Sequence, residues 1–201
     1  QLEPTGKRLL FGVDVSGSMD MGSIGGTPLT PREGAAAMAM ACAKTEREYY
    51  IMGFTAGNAY RKGTITWHDH HKMQADANIR MAGFVDLGIT TKMRLDDVIK
   101  KVSSFPLGPT DCALPMLWAE KNKIDFDTAI IVTDNETWAG EVHPSQALRR
   151  YRDQRNPNAK LVVIGMTATN FTIADPNDPG MLDVTGFDSS VPQAIQEFCR
   201  S

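Results

Sequence analysis

The sequence predicts a doubly wound α/β fold, a mostly parallel central sheet flanked by helices, and three observations carry that expectation. Short runs that are apolar almost throughout recur along the chain, at Leu9-Leu10-Phe11-Gly12-Val13, Tyr49–Phe54, Ala129-Ile130-Ile131-Val132 and Leu161-Val162-Val163-Ile164. Strands buried on both faces of a parallel sheet read this way. Helical patterns separate these runs, the alternation that builds crossover connections. The length of 201 residues, with 42% apolar and 22% charged residues, suits one such domain over residues 1–201.

Taken in order, Lys7 to Val13 reads as the first buried strand, and the glycine-rich stretch from Met19 to Leu29 as a loop. Thr30-Pro31-Arg32-Glu33 then carries a complete helix start: a hydroxyl to cap, proline at the first helical position and a glutamate to close a capping box. The Ala-rich run to Lys44 has high helix propensity and is apolar on most sides, so it is expected to be largely buried. Tyr49 to Phe54 is the second strand. From Ala56 to Gly88 the pattern weakens; Thr64-Ile65-Thr66-Trp67 alternates like an edge strand, and Met81 to Val85 suits a short strand or turn. Thr90 or Thr91 is placed to cap a helix whose Leu95, Val98, Ile99 and Val102 share a face, ending before Phe105-Pro106-Leu107-Gly108-Pro109. Another helix opens after Thr110 and runs to about Asn122, Asp127 to Thr133 is a strand, and Pro144 to Asp153 a helix. Lys160 to Met166 is a strand, a shorter one falls near Leu182 to Thr185, and Ser189 or Ser190 caps a last helix lined by Val191, Ile195 and Phe198.

Function concentrates where the first strand stops. Asp14-Val15-Ser16-Gly17-Ser18 places a carboxylate and two hydroxyls at every second position directly after a buried strand. A second buried strand also ends at a carboxylate, Asp134, and Thr110 stands before a helix. Two carboxylates and three hydroxyls form an all-oxygen set, which suits a hard cation such as Mg²⁺, with Mn²⁺ or Ca²⁺ as alternatives. Neutral hydroxyls leave such an ion under-neutralised, so it would attract an external carboxylate or phosphate oxygen. Asp111 and Glu136 are placed to orient hydroxyl or water ligands from behind.

The remaining features exclude more than they assign. A net charge of −3 gives no overall attraction to nucleic acid or an anionic membrane, and no run of about 18 apolar residues could span one. Cys42, Cys112 and Cys199 are odd in number and widely spaced, which argues for buried thiols in a cytosolic or nuclear protein rather than a disulfide framework. His68, Asp69, His70 and His71 match no zinc-finger spacing and read as a solvated loop. Gly22, Gly25 and Gly26 lack the Gly-Lys-Ser/Thr ending of a phosphate loop. Arg149, Arg150, Arg152, Arg155 and Lys160 form the densest basic cluster, read as a solvated face with RNA contact as the lesser alternative. Met38, Met40, Met116, Met166 and Met181 read as core. The chain opens on Gln1 rather than Met, so a fragment or processed chain is expected.

Asp14-Val15-Ser16-Gly17-Ser18, Thr110 and Asp134 together resemble the metal-ion-dependent adhesion site of von Willebrand factor type A domains, which are Rossmann-like α/β domains. Longer stretches resemble one branch, the Ro autoantigen (TROVE) ribonucleoproteins: Pro109-Thr110-Asp111-Cys112-Ala113-Leu114-Pro115-Met116, Thr133-Asp134-Asn135-Glu136-Thr137-Trp138-Ala139-Gly140 and Phe171-Thr172-Ile173-Ala174-Asp175-Pro176. Gly180-Met181-Leu182-Asp183 and Gly186-Phe187-Asp188 continue the likeness, which covers nearly the whole chain. The resemblance implies that Asp14, Ser16, Ser18, Thr110 and Asp134 are the metal-site residues. It also implies a cytoplasmic or also nuclear RNA quality-control protein whose small non-coding RNA partners (Y RNA and misfolded RNA) bind mainly through a ring of helical repeats. No such repeat precedes Asp14, so the chain is expected to be the isolated C-terminal type A domain.

Two other functions compete with a non-catalytic binding module. One is a purely structural or assembly role with incidental metal. The other is a magnesium-dependent phosphohydrolase with Asp14 as nucleophile, but such enzymes commonly carry a second acid two residues later, and that position is Ser16.

Overall fold

A computed structural model describes residues 3–25, 27–55, 84–103, 110–134, 142–167, 172–186 and 190–201. The apolar runs form the strands expected of them: β1 (Leu9–Asp14), β2 (Tyr49–Phe54), β3 (Phe84–Asp86), β4 (Thr128–Thr133), β5 (Lys160–Gly165) and β6 (Met181–Thr185). Their order in the sheet is β3-β2-β1-β4-β5-β6. Every neighbouring pair is parallel except β2 with β3, an antiparallel edge with Met52 opposite Asp86 and Phe54 opposite Phe84. From β1 the chain works outward through β2 and β3, then returns to β4 on the other side of β1 and proceeds outward again through β5 and β6. The order therefore reverses between β1 and β4. At such a switch point the crossover loops part, leaving a crevice beyond the carboxyl ends of the strands.

The period-two alternation of strand side chains splits the core into two layers. Leu9, Phe11, Val13, Ile130, Val132, Val162 and Ile164 face helices α1 (Pro31–Thr45), α2 (Leu95–Ser103) and α5 (Val191–Arg200). Leu10, Met52, Phe54, Ala129, Ile131, Leu161 and Val163 face α3 (Leu114–Asn122) and α4 (Pro144–Gln154). Small residues bring α1 close to the sheet: Ala35, Ala36, Ala39 and Ala43 are fully buried. Met38, Met116, Met166 and Met181 are core as expected, and Met40 packs against it. The three cysteines are free thiols, with Cys112 and Cys199 buried.

Of the three helix starts for which a cap is expected from the sequence, one follows the capping chemistry and two depart from it. The Thr30 side chain accepts from Glu33 N and Glu33 accepts from Thr30 N, the capping box expected for α1. Helix α2 begins at Leu95, several residues beyond Thr90 and Thr91. Thr90 instead closes a turn by accepting from Met93 N, and the Asp97 carboxylate accepts from Arg94 N at 3.3 Å. Ser190 occupies the position before α5 without a side-chain cap bond, its backbone already helical. The predicted edge strand at 64–67 and the His68–His71 cluster lie outside the described residues. No helix among the described residues is long and apolar enough to cross a membrane.

Candidate metal centre

Asp14 is the last residue of β1 and is fully buried, so its carboxylate has to be satisfied by the protein. Asp14 Oδ1 accepts from Ser16 N at 2.8 Å, an Asx-type turn that swings the chain off the strand. The turn continues into a short 3₁₀ helix, Gly17–Asp20, and brings Ser16 Oγ within 3.1 Å of Ser18 Oγ. The spacing of Asp-x-Ser-x-Ser thus places three oxygen-bearing side chains on one turn.

The second carboxylate arrives from β4, the neighbour across the switch point. Thr133, its last residue, donates its hydroxyl to Asp14 Oδ2 at 2.8 Å, while Asp134 Oδ1 lies 3.4 Å from that Thr133 Oγ1. A hydroxyl has one proton, so the shorter contact takes it and the Asp134 oxygen faces the hydroxyl as a second acceptor. The backbone carbonyl of Asp134 is held by Thr167 Oγ1 at 2.7 Å. Asp134 is also buried. Two buried carboxylates therefore face one hydroxyl. Burial, first, and the Asp134 charge, second, push the Asp14 carboxyl up to about 6 against the opposing hydrogen bonds from Ser16 and Thr133.

Thr110 and Asp111 are buried just ahead of α3. Asp111 Oδ1 accepts from Ala113 N at 3.1 Å and so shapes the entry to the helix. Gly12 fixes how closely that entry approaches β1. A Cβ at Gly12 would lie 2.8 Å from Pro115 Cγ and 3.0 Å from Ile131 Cδ1, so only glycine lets the first turn of α3 rest on the strand two residues before Asp14. Glu136 lies outside the described residues.

The donor set fits a hard divalent cation. Among the described residues no lysine or arginine pairs with Asp14 or Asp134, although both are buried. The pair's mutual repulsion is what a cation would relieve. Asp14, Ser16, Ser18, Thr110 and Asp134 offer only oxygen, as Mg²⁺ requires, and too few of them to complete an octahedron without water or an outside ligand.

Two contributors escaped the sequence reading. Thr133 reads as one more strand residue, its only signal being a hydroxyl immediately before the strand-ending Asp134. Arg32 is almost wholly buried and donates to the Ser16 carbonyl. Its signal is a cation in the first turn of a helix, where the helix dipole disfavours it. The basic cluster on α4 turns out to be largely neutralised: Arg149 pairs with Asp175, Arg150 with Glu120 at 2.8 Å, Arg152 with Asp178 at 2.5 Å and Arg155 with Asp125 at 2.6 Å.

A doubly wound sheet of this order, with two carboxylates and a Ser-x-Ser turn at its switch point, defines a von Willebrand factor type A-like domain. The chain belongs to the family described as the Ro60 vWA domain, whose model matches residues 8–199. It is 40% identical over 200 residues to the RNA-binding protein RO60 of Deinococcus radiodurans, and 39% identical over 200 residues to that of Caenorhabditis elegans. Those alignments take in 99% and 97% of this chain but 33% and 26% of the relatives, so the chain spans a third or less of their length. The crystal structure of the Deinococcus radiodurans RO (RSR) protein superposes with a TM-score of 0.80 at 40% identity, over 99% of this chain and 35% of that one. The fold alone is shared with manganese-loaded Plasmodium vivax TRAP protein, at 13% identity and a TM-score of 0.53 over 97% of this chain and 74% of that one.

Proposed function

We propose that this chain, as one unit over residues 1–201, is the metal-ion-dependent binding module of a Ro-type small non-coding RNA-binding protein. Asp14, Ser16, Ser18, Thr110 and Asp134 hold Mg²⁺, and the open coordination position takes an oxygen of an acidic side chain or a phosphate. The observation that carries this reading is the pairing of two buried carboxylates, Asp14 and Asp134, through one Thr133 hydroxyl, with no basic partner among the described residues.

The module is non-catalytic. Both oxygens of Asp14 accept hydrogen bonds, from Ser16 N and Thr133 Oγ1, which suits a fixed ligand better than a nucleophile. Ser16 occupies the position where a phosphohydrolase would carry its general acid. The relatives' name as RNA-binding proteins supports an RNA partner; we take Y RNA and misfolded RNA, in the cytoplasm, as that partner. In that setting the RNA is engaged by the longer protein, and the metal site adds a contact to phosphate or to an acidic protein ligand.

Thermal unfolding with and without Mg²⁺ tests the reading. The chain is expected to melt higher in millimolar Mg²⁺ than in EDTA, and Asp14→Ala to lose that difference; equal melting of the parent in both conditions would overturn the metal assignment. Anisotropy measurements with a labelled small structured RNA, on the longer protein, then separate the ligand classes. RNA affinity that falls in Asp14→Ala assigns the open position to phosphate, and unchanged affinity assigns it to an acidic protein ligand.

A further inference from the structure

Arg32 is 2% exposed, and its guanidinium is the largest fully buried side chain of the described residues. A buried cation is costly unless its donors are satisfied, and four of its N–H groups are. Nε and Nη2 form a fork on the Asp20 carboxylate, the Nη2 arm at 2.9 Å. Nη2 also donates to the Ser16 carbonyl at 3.0 Å, and Nη1 to the Val102 carbonyl at 2.9 Å.

These partners are not scattered. Ser16 precedes the 3₁₀ turn Gly17–Asp20 and Asp20 ends it, so one planar group grips both ends of the turn that carries Ser18. Val102 lies in the last turn of α2, eight residues before Thr110. The same group therefore joins the segment bearing Ser16 and Ser18 to the helix that leads to Thr110. A guanidinium fork sets such distances with little freedom, whereas an ammonium on a flexible stem does not.

We infer that Arg32 is the positioning residue of the cation site, holding Ser16 and Ser18 at ligating separation and tying their turn to the helix that precedes Thr110. This rests on the cation-site reading above. The arrangement has an electrostatic cost, because a positive charge sits behind a site for a divalent cation. Asp20 offsets that cost from the solvent side, its side chain being 55% exposed. Position and charge thus make opposite predictions for removing Arg32.

The test is calorimetric titration of the folded 201-residue chain with Mg²⁺, paired with melting in EDTA. Arg32→Lys keeps the charge and loses the fork; its Mg²⁺ affinity is expected to fall about 10- to 100-fold, the range for groups that orient metal ligands. Arg32→Met is expected to weaken binding at least as much, and tighter binding there would show that charge outweighs position and overturn the inference. A role in folding alone would lower the EDTA melting point while leaving affinity within twofold of the parent, which would also overturn it. Asp20→Glu, which keeps the charge at an exposed side chain and displaces the fork, carries the test if the Arg32 variants do not fold, with several-fold weaker binding expected and unchanged binding contradicting the inference. A parent chain that binds no Mg²⁺ would instead refute the site itself, a result read on the parent alone.

Discussion

Replacing Asp14 with Asn should stabilise the metal-free chain, although it removes a central residue of the site. The structure gives both the reason and the size. Asp14 is fully buried and faces Asp134, and its carboxyl is pushed from 3.8 up to about 6. At pH 7.5, above both values, it is ionised whether folded or unfolded, so the whole penalty falls on the folded state. Two pKa units correspond to about 3 kcal/mol at about 1.4 kcal/mol each. The amide can keep both contacts. Its carbonyl accepts from Ser16 N, and its NH₂ donates to Thr133 Oγ1, whose proton then turns to Asp134 Oδ1. Allowing for imperfect amide geometry, we expect Asp14→Asn to gain about 1–3 kcal/mol in EDTA, a rise of roughly 2–12 °C for a chain of this size. Mg²⁺ should raise the parent and leave the variant unmoved. Equilibrium unfolding in urea and thermal melts, each in EDTA and in Mg²⁺, measure both effects. A variant less stable than the parent in EDTA would refute the reasoning, because it would mean that the protein itself already neutralises Asp14.

Three further perturbations address the frame around the site. Thr133→Val is nearly isosteric and removes the hydroxyl between the carboxylates; it should cost about 1–2 kcal/mol, and a neutral result in urea unfolding would show that hydrogen bond to be dispensable. Gly12→Ala sets a methyl against Pro115 and Ile131 and should cost about 1–3 kcal/mol while weakening the Mg²⁺ response, since α3 must shift; melts in EDTA and Mg²⁺ would show a fully stable, fully responsive variant if the close packing were unimportant. Asp127 is held below the usual carboxylate range by hydrogen bonds from Arg8, at 2.7 Å from Nη2 and 2.9 Å from the backbone N. A depressed folded value contributes stability above the unfolded value near 3.8 and loses it as pH falls through the folded one. Because the pair is partly exposed, Asp127→Asn should cost only about 0.5–1 kcal/mol at pH 7; the cost should fade as the pH is lowered past 3.8, and a gap that is constant with pH would contradict the assignment.

Much of this was legible in the chain because the relevant interactions are local. Buried parallel strands announce themselves as apolar runs, and β2 falls at Tyr49–Phe54 as expected. Thr30, Pro31 and Glu33 lie within one helical turn, so their capping box is written in adjacent letters. Asp14, Ser16 and Ser18 share a turn, and Asp134 follows a strand, so four of the five proposed ligands carry a sequence signal of their own. What escaped depends on long-range partners. Arg32 bonds to Val102, 70 residues away, and nothing near Arg32 hints at that carbonyl. The arginines of α4 and its C-terminal neighbour Arg155 look like a basic patch because their carboxylates stand 26 to 30 residues off, in α3 and in other loops. Helix α2 misled because Thr90 and Thr91 are good caps chemically, but the turn closed by Met93 N on the Thr90 carbonyl comes first.

An ion beyond the carboxyl ends of β1 and β4 is the feature on which every role proposed for this site depends. Anomalous scattering from a crystal of this chain soaked in Mn²⁺ measures it. The expected result is one strong peak about 2–2.3 Å from Ser16 Oγ and Ser18 Oγ, with Asp14, Thr110 and Asp134 around it directly or through water. A map with no peak there at millimolar Mn²⁺, or with its only peak elsewhere on the chain, would contradict the claim that this domain is built around a cation.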